Sequence, residues 1–317
     1  MLTAFLTTLS QMARILLFLI IGFGLNRLHI LPKGAGSGVS RLVTKIFLPA
    51  MLIHNNMTEF NLADVSSYGK LVLLGTFLWI VITAISLPIS KKLSDGTHLE
   101  RGVYLYGLSF SNTGAVGTPL ALALLGSAGL FQFNLFLLAF SIMTYAWGVN
   151  LFLEVERKNS LKRFLIQLFN PVFVSMIIGL TLGALGAGKW MPPLITNVFH
   201  DLGSCFVPVS LLMTGYTIAD YPIGSLFNRP RSYIFTLLRL VIFPLLALMI
   251  AKFMDVPQFT AILVVLAFAG PSGMNVVVFP ASYGRDCRTG ASIVMLSSLG
   301  AVLTVPILYA LLQLLFP

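Results

Sequence analysis

The sequence predicts an all-α integral membrane protein: ten transmembrane helices in two inverted five-helix repeats, with helices four and nine broken where they cross. Three observations predict it. Apolar stretches long enough to cross a bilayer recur along the chain, basic residues concentrate in alternate loops, and short matches return at one offset. Of the 317 residues, 57% are hydrophobic and 9% charged, where a soluble domain carries roughly 25% charged residues. The mean hydropathy is +0.93. So little polar surface cannot cover a water-facing globule, and lipid is the solvent for most of the chain.

A spanning helix needs roughly 20 mainly apolar residues. Such stretches run over 8–28, 39–57, 69–90, 102–125, 130–152, 165–187, 194–219, 232–251, 258–283 and 290–315. Residues 1–13 hold no charge, so the first stretch lacks the basic leader of a signal peptide and reads as a retained helix. Polar or Gly/Pro punctuation separates the stretches, as at Leu31-Pro32-Lys33-Gly34 and Lys91-Lys92-Leu93-Ser94-Asp95-Gly96. Cys205 and Cys287 lie in or beside apolar stretches and form no motif with nearby His or Asp, which reads as two small buried residues, not a disulfide or metal site.

The net charge of +10 does not point to nucleic acid, because the basic residues are spread among short loops. The odd-numbered loops hold fifteen of them: Arg27, Lys33, Arg41, Lys45; Lys91, Lys92, Arg101; Arg157, Lys158, Lys162, Arg163; Arg229, Arg231; Arg285, Arg288. The even-numbered loops hold Lys70, Lys189 and Lys252. Lys and Arg are enriched on the cytoplasmic side, so the odd loops are expected in the cytoplasm and both termini outside, in the cell's inner (plasma) membrane.

Ile20-Ile21-Gly22 returns as Ile177-Ile178-Gly179, Phe47-Leu48-Pro49 as Phe206-Val207-Pro208, Ser111 to Gly114 as Gly270 to Gly273, and Gly126 as Gly284, at offsets of 157, 159, 159 and 158. A repeat of five helices must re-enter the membrane upside down, the architecture of alternating-access carriers. The expected division is 1–153 for the first repeat, 154–164 for a cytoplasmic linker and 165–317 for the second.

The fourth stretch carries Ser109 to Pro119, and the ninth carries Ala269-Gly270-Pro271-Ser272-Gly273-Met274-Asn275 with Pro280 beyond. Proline removes a backbone donor and glycine leaves helical geometry readily. Freed backbone groups in hydrocarbon cost several kcal/mol each, so paired breaks are expected where they line a polar cavity, and they point to a substrate site. Kinked helices with small residues for close packing are the plainer alternative. In the site reading, half-helix N-termini face an anion. Asn112 and Asn275 add amides, Ser111, Thr113, Thr118 and Ser272 add hydroxyls, and Gly114, Gly117 and Gly273 allow close backbone approach.

The chain resembles the auxin efflux carrier family, which includes plant auxin carriers and bacterial malate and malonate permeases. The resemblance covers nearly the whole length. It rests on Arg41-Leu42-Val43 with Phe47-Leu48-Pro49, on Asn112 to Pro119, on Asn170-Pro171, and on Gly270-Pro271-Ser272-Gly273 followed by Tyr283-Gly284. It implies a scaffold of helices 1, 2, 6 and 7, a transport unit of helices 3–5 and 8–10, and substrates that are mostly carboxylate anions. It maps the crossing-point residues onto Asn112, Pro119, Pro271 and Asn275. It also implies kinship with bile-acid-type transporters. The long cytoplasmic loop of plant members is missing here, as in bacterial permeases. The third stretch holds no charge after Lys70, so no charged accessory site is expected there.

Arg239 lies within the eighth stretch, where intramembrane charge reads either as a charge partner for the substrate or as a snorkelling side chain. Asp201, with His200, lies in the outer half of the seventh stretch and reads either as a proton or cation site or as a polar cap. Arg14 reads as snorkelling, and His54, Asn55 and Asn56 as interfacial. The leading expectation is facilitated or ion-coupled transport of a mono- or dicarboxylate, malate-, malonate- or auxin-like. The alternative is a sodium-coupled symporter of a bulkier amphipathic acid. No cofactor is expected, and the coupling ion, H+ or Na+, stays open, as does a homodimer. A membrane enzyme is disfavoured because no HExxH, GxSxG or paired-Asp motif occurs.

Overall fold

A computed structural model describes residues 2–31, 35–152, 169–220, 224, 227–282 and 284–316. The linker 154–164, with Arg157, Lys158, Lys162 and Arg163, lies outside the described residues, as do Pro32, Lys33, Gly34 and Tyr283. Among those described, every regular element is helical and the one β-contact is an isolated bridge. Six helices are long and apolar enough to cross a membrane: Leu6–Arg27, Leu62–Leu93, Thr113–Phe136, Pro193–Ile218, Pro230–Phe253 and Arg288–Leu315. Three shorter apolar helices accompany them.

In chain order, α1 (Leu2–Arg27) leads to α2 (Ala35–Leu42), which passes through a π-helical turn at Val43–Phe47 into α3 (Leu48–Glu59). Next come α4 (Val65–Leu93), α5 (His98–Ser109), a π-helical turn at Thr113–Gly117, α6 (Thr118–Phe136) and α7 (Leu138–Ala146). After the linker follow α8 (Pro171–Ala184), α9 (Pro193–Ser204), α10 (Phe206–Ile218), α11 (Pro230–Leu237), α12 (Phe243–Phe253), α13 (Gln258–Phe268), α14 (Asn275–Ser282) and α15 (Arg288–Leu315). Asn170 starts α8 as expected of an N-cap, its Oδ1 accepting the Phe173 N–H at 3.0 Å, with Pro171 in the first turn.

Two helix pairs pack along their lengths, α1 with α10 and α3 with α8. Glycines set both contacts: Gly22 and Gly215 seat α1 against α10, and Gly179 seats α8 against Ile53 and Asn56 of α3. α12, α15 and α6 pack against α13, which is buried from Thr260 to Phe268, and this explains a sequence apolar on every side. Glu100, in the first turn of α5, ties that helix to α11 and α15. Its carboxylate lies 3.7 Å from Arg229 Nη1 and 3.9 Å from Arg231 Nη1, and the Thr289 hydroxyl of α15 donates to it at 3.4 Å. Burial pushes that carboxyl above the usual range.

The expected fourth stretch, 102–125, is divided once, and a second break follows just past its end. The chain leaves α5 at Phe110 in extended geometry (φ −122°, ψ 113°), and it breaks again at Gly126, whose φ of 70° only glycine adopts readily. Gly284, the residue matched to Gly126 by the repeat, also has a positive φ, 64°.

Candidate functional site

The two glycine- and proline-rich segments meet. The Asn112 N–H donates to Pro271 O at 2.8 Å, and the Gly273 N–H donates to Phe110 O at 3.1 Å. The two extended strands thus form one antiparallel bridge at Ser111 and Ser272. Each break supplies the partner that the other's freed backbone needs, the condition for non-helical chain at this depth. Ser111 Oγ donates to Ala267 O, and the Ser272 N–H donates to Ser297 Oγ at 3.1 Å. Asn112 caps the turn that follows it, its Oδ1 accepting the Ala115 N–H at 3.2 Å. Asn275, at the start of α14, donates from Nδ2 to the Tyr106 hydroxyl at 2.8 Å.

The crossing opens onto a cavity of about 270 Å³. Ser111 to Ala115 and Thr118 line it from one segment, and Gly273, Met274 and Asn275 from the other. The first turns of both departing helices therefore reach the cavity, and each carries the partial positive charge of a helix N-terminus. Apolar wall comes from Leu48, Leu52, Leu137, Phe140 and Met213, and hydroxyls come from Thr44, Thr144, Tyr145, Ser210, Thr214 and Thr217. No charged side chain lines the cavity among the described residues.

Residues 7–309 match the family described as membrane transport protein. The chain belongs to the membrane transport protein family. With six helices of spanning length and composition, it is a multi-pass membrane protein, and its family is one of transporters, not enzymes. No curated protein matches it.

Of the residues the sequence singled out in this transporter, Ser111, Asn112, Thr113, Gly114, Thr118, Gly273 and Asn275 share the cavity. Pro271 sits instead beside a small void with Asn112 and Val116. Gly270 and Ser272 serve the crossing itself. Pro119 faces the other way, into a second cavity of about 590 Å³ that also meets Arg14, His54 and His200. The adjacent pair Thr118–Pro119 thus stands between two cavities, with Met51 lining both. Gly114 and Gly273 leave room for a methyl group within the protein. A Cβ there would sit 3.5 Å from the Phe206 ring and 3.4 Å from Phe110 O, ordinary contacts.

Arg239 does not snorkel. It is fully buried, its Nε–H donating to Gly270 O at 3.2 Å and its Nη1–H to Leu108 O at 2.9 Å. It binds the backbone of both breaks and does not line the cavity. Asp201 is far from this arrangement in character: its side chain is 80% exposed and lies 3.2 Å from His200 Nδ1. The sequence reading missed Tyr106 and the hydroxyls of other helices. A signal existed: Ser210, Thr214 and Thr217 follow helical spacing on one face of α10, as do Ser40 and Thr44 in the second stretch.

Proposed function

We propose that this protein carries a small organic anion, a mono- or dicarboxylate, across the cell's inner (plasma) membrane by alternating access. One observation carries the reading: the two crossed breaks direct the first turns of two helices, with Asn112 and Asn275, into one cavity. Backbone N–H groups and a positive dipole end suit a carboxylate. Thr118–Pro119 and Met51, between the cavities, form the barrier that rocking would open and close.

The architecture proposed is ten spans in two inverted repeats, 1–153 and 165–317. Support comes from positions the repeat matches. Gly22 packs on Leu212 while Gly179 packs on Ile53, and 22 with 179 and 53 with 212 differ by 157 and 159. The left-handed backbone recurs at Gly126 and Gly284. In this arrangement the odd loops are cytoplasmic and the smaller cavity, reached past Ser40 and Thr217, opens inward.

A sodium-coupled symporter of a bulkier acid would need free oxygens at the crossing. Five backbone carbonyls there are occupied: Leu108 and Gly270 by Arg239, Phe110 by Gly273, Pro271 by Asn112 and Ala267 by Ser111. Each of these carbonyls keeps a second lone pair, so sodium dependence decides between the readings: a flux that vanishes without sodium would favour the alternative.

Asn112→Ala combined with Asn275→Ala is expected to abolish carboxylate uptake into proteoliposomes. Losing the Asn112 cap costs only about 1 kcal/mol, so the protein should still elute as a single folded species. Uptake at the native rate would refute the site. Orientation has its own test in right-side-out vesicles, on a background free of native cysteines. Lys189→Cys is expected to react with a membrane-impermeant maleimide and Lys92→Cys to stay unlabelled; the reverse pattern inverts the topology.

A further inference from the structure

The geometry of the crossing also sets how much charge it can hold, an inference that rests on the anion-carrying reading above. Four helix ends meet there. Two are C-terminal, those of α5 and α13, and the nearby Leu108 and Gly270 carbonyls both accept from Arg239. Two are N-terminal, the turn at Thr113 leading into α6 and the start of α14. Each end is equivalent to roughly half an elementary charge. Arg239 therefore offsets the two negative ends. It is fully buried, and no ion pair to it is found among the described residues. The two positive ends, about one charge together, remain for the guest.

The lining of the cavity adds an independent argument, because no charged side chain lies on it among the described residues. Thr44, Thr144, Ser210, Thr214 and Thr217 each donate to a carbonyl of their own helix at 2.8–2.9 Å. Those five oxygens are left to accept from a guest, while the Thr113, Thr118 and Tyr145 hydroxyls and the Asn112 amide also line the cavity. The Tyr106 oxygen is already an acceptor for Asn275. A second carboxylate would meet no cationic side chain there, and a buried charge without a partner costs several kcal/mol.

We infer that the site selects a monoanion: a monocarboxylate whose other end is apolar or donates hydrogen bonds, with Arg239 fixing the charge of the site at one. Arg239 is a positioning residue here, acting through the helix ends it neutralises.

The test compares dicarboxylates with their monoamides, each pair sharing one carbon skeleton (aliphatic, branched or aromatic), by ligand-induced thermal stabilisation and by uptake. At least one monoamide is expected to bind at least about tenfold more tightly than its diacid. Diacids that bind as well or better overturn the inference and leave the anion reading standing. A panel in which no carboxylate binds or is taken up removes that reading, and the inference with it. A second measurement isolates Arg239. Arg239→Gln is expected to weaken the monoamide at least about tenfold while leaving the weak binding of the neutral diamide unchanged, and Arg239→Lys to restore the monoamide. Equal loss for charged and neutral ligands would show a merely structural role. If Arg239→Gln does not fold, the comparison on the native protein still decides the charge.

Discussion

Arg239→Met is expected to abolish uptake and to lower thermal stability, because it removes a buried side chain that binds the backbone beside both breaks. The guanidinium binds Leu108 O and Gly270 O at the ends of α5 and α13. Methionine is close in length but donates nothing. Each carbonyl left unpaired in a buried site costs about 1–3 kcal/mol, and the chain neighbours of Arg239, Phe235, Leu240 and Phe243, are buried apolar side chains that donate nothing. An opposing effect limits the loss. A buried guanidinium is itself expensive, and methionine relieves that cost. The net expectation is therefore a fall of about 2–4 kcal/mol in stability, with a larger effect on function. With the charge gone, the two C-terminal ends cancel the two N-terminal ends, and the cavity loses its pull on an anion. Uptake should drop by at least about 100-fold, measured in proteoliposomes with matched protein content. Arg239→Lys should recover part of it, because an ammonium keeps the charge but cannot span two acceptors as a planar fork does. Native uptake by Arg239→Met would defeat this account of the crossing.

The breaks were legible in the sequence because their chemistry is local. Gly270-Pro271-Ser272-Gly273 resist a helix in any surroundings, while Thr113 to Pro119 are helical and the first break falls just before them, at Phe110 to Asn112. The glycine matched at 126 and 284 was legible as a repeat position but not as a bend, since a glycine inside apolar sequence also suits close packing. The role of Arg239 was not legible. Its carbonyl partners lie 131 and 31 residues away in the chain, and nothing in the local pattern names them. Depth alone left snorkelling and function equally open, and the structure resolves the choice by direction: the side chain points inward to the crossing. Pro119 shows a finer limit. It is adjacent to Thr118, but one residue advances a helix by about 100°, so the two meet different cavities. Asp201 was ambiguous for a related reason. Its place within an apolar stretch left an ion site and a polar cap both open, and its side chain is exposed on α9. The hydroxyl stripe on α10 went unread because Ser and Thr are common in membrane helices, where they bond their own backbone, as these do.

The contact between α1 and α10 should tolerate almost no added volume. A Cβ on Gly22 would lie 2.0 Å from Leu212 O, and a Cβ on Gly215 would lie 2.0 Å from Leu19 O. Carbon and carbonyl oxygen settle at about 3.3–3.6 Å, so even alanine forces the helices apart by about 1 Å. Both obstacles are backbone atoms, and no rotamer change relieves them. Gly22→Ala and Gly215→Ala are each expected to destabilise the protein by about 1–3 kcal/mol, read as a lower midpoint of thermal unfolding in detergent. The double variant should cost little more than either single one, because one separation of the helices accommodates both methyl groups, and contacting sites do not add. Function should follow, since α10 also carries Ser210, Thr214 and Thr217 into the cavity. A shift of α10 moves those oxygens relative to Asn112 and Asn275, and ligand affinity should fall even where the protein still folds. Alanine variants as stable as the native protein, or a double variant whose loss is the full sum of the singles, would mean that the helices do not meet backbone to backbone at these glycines.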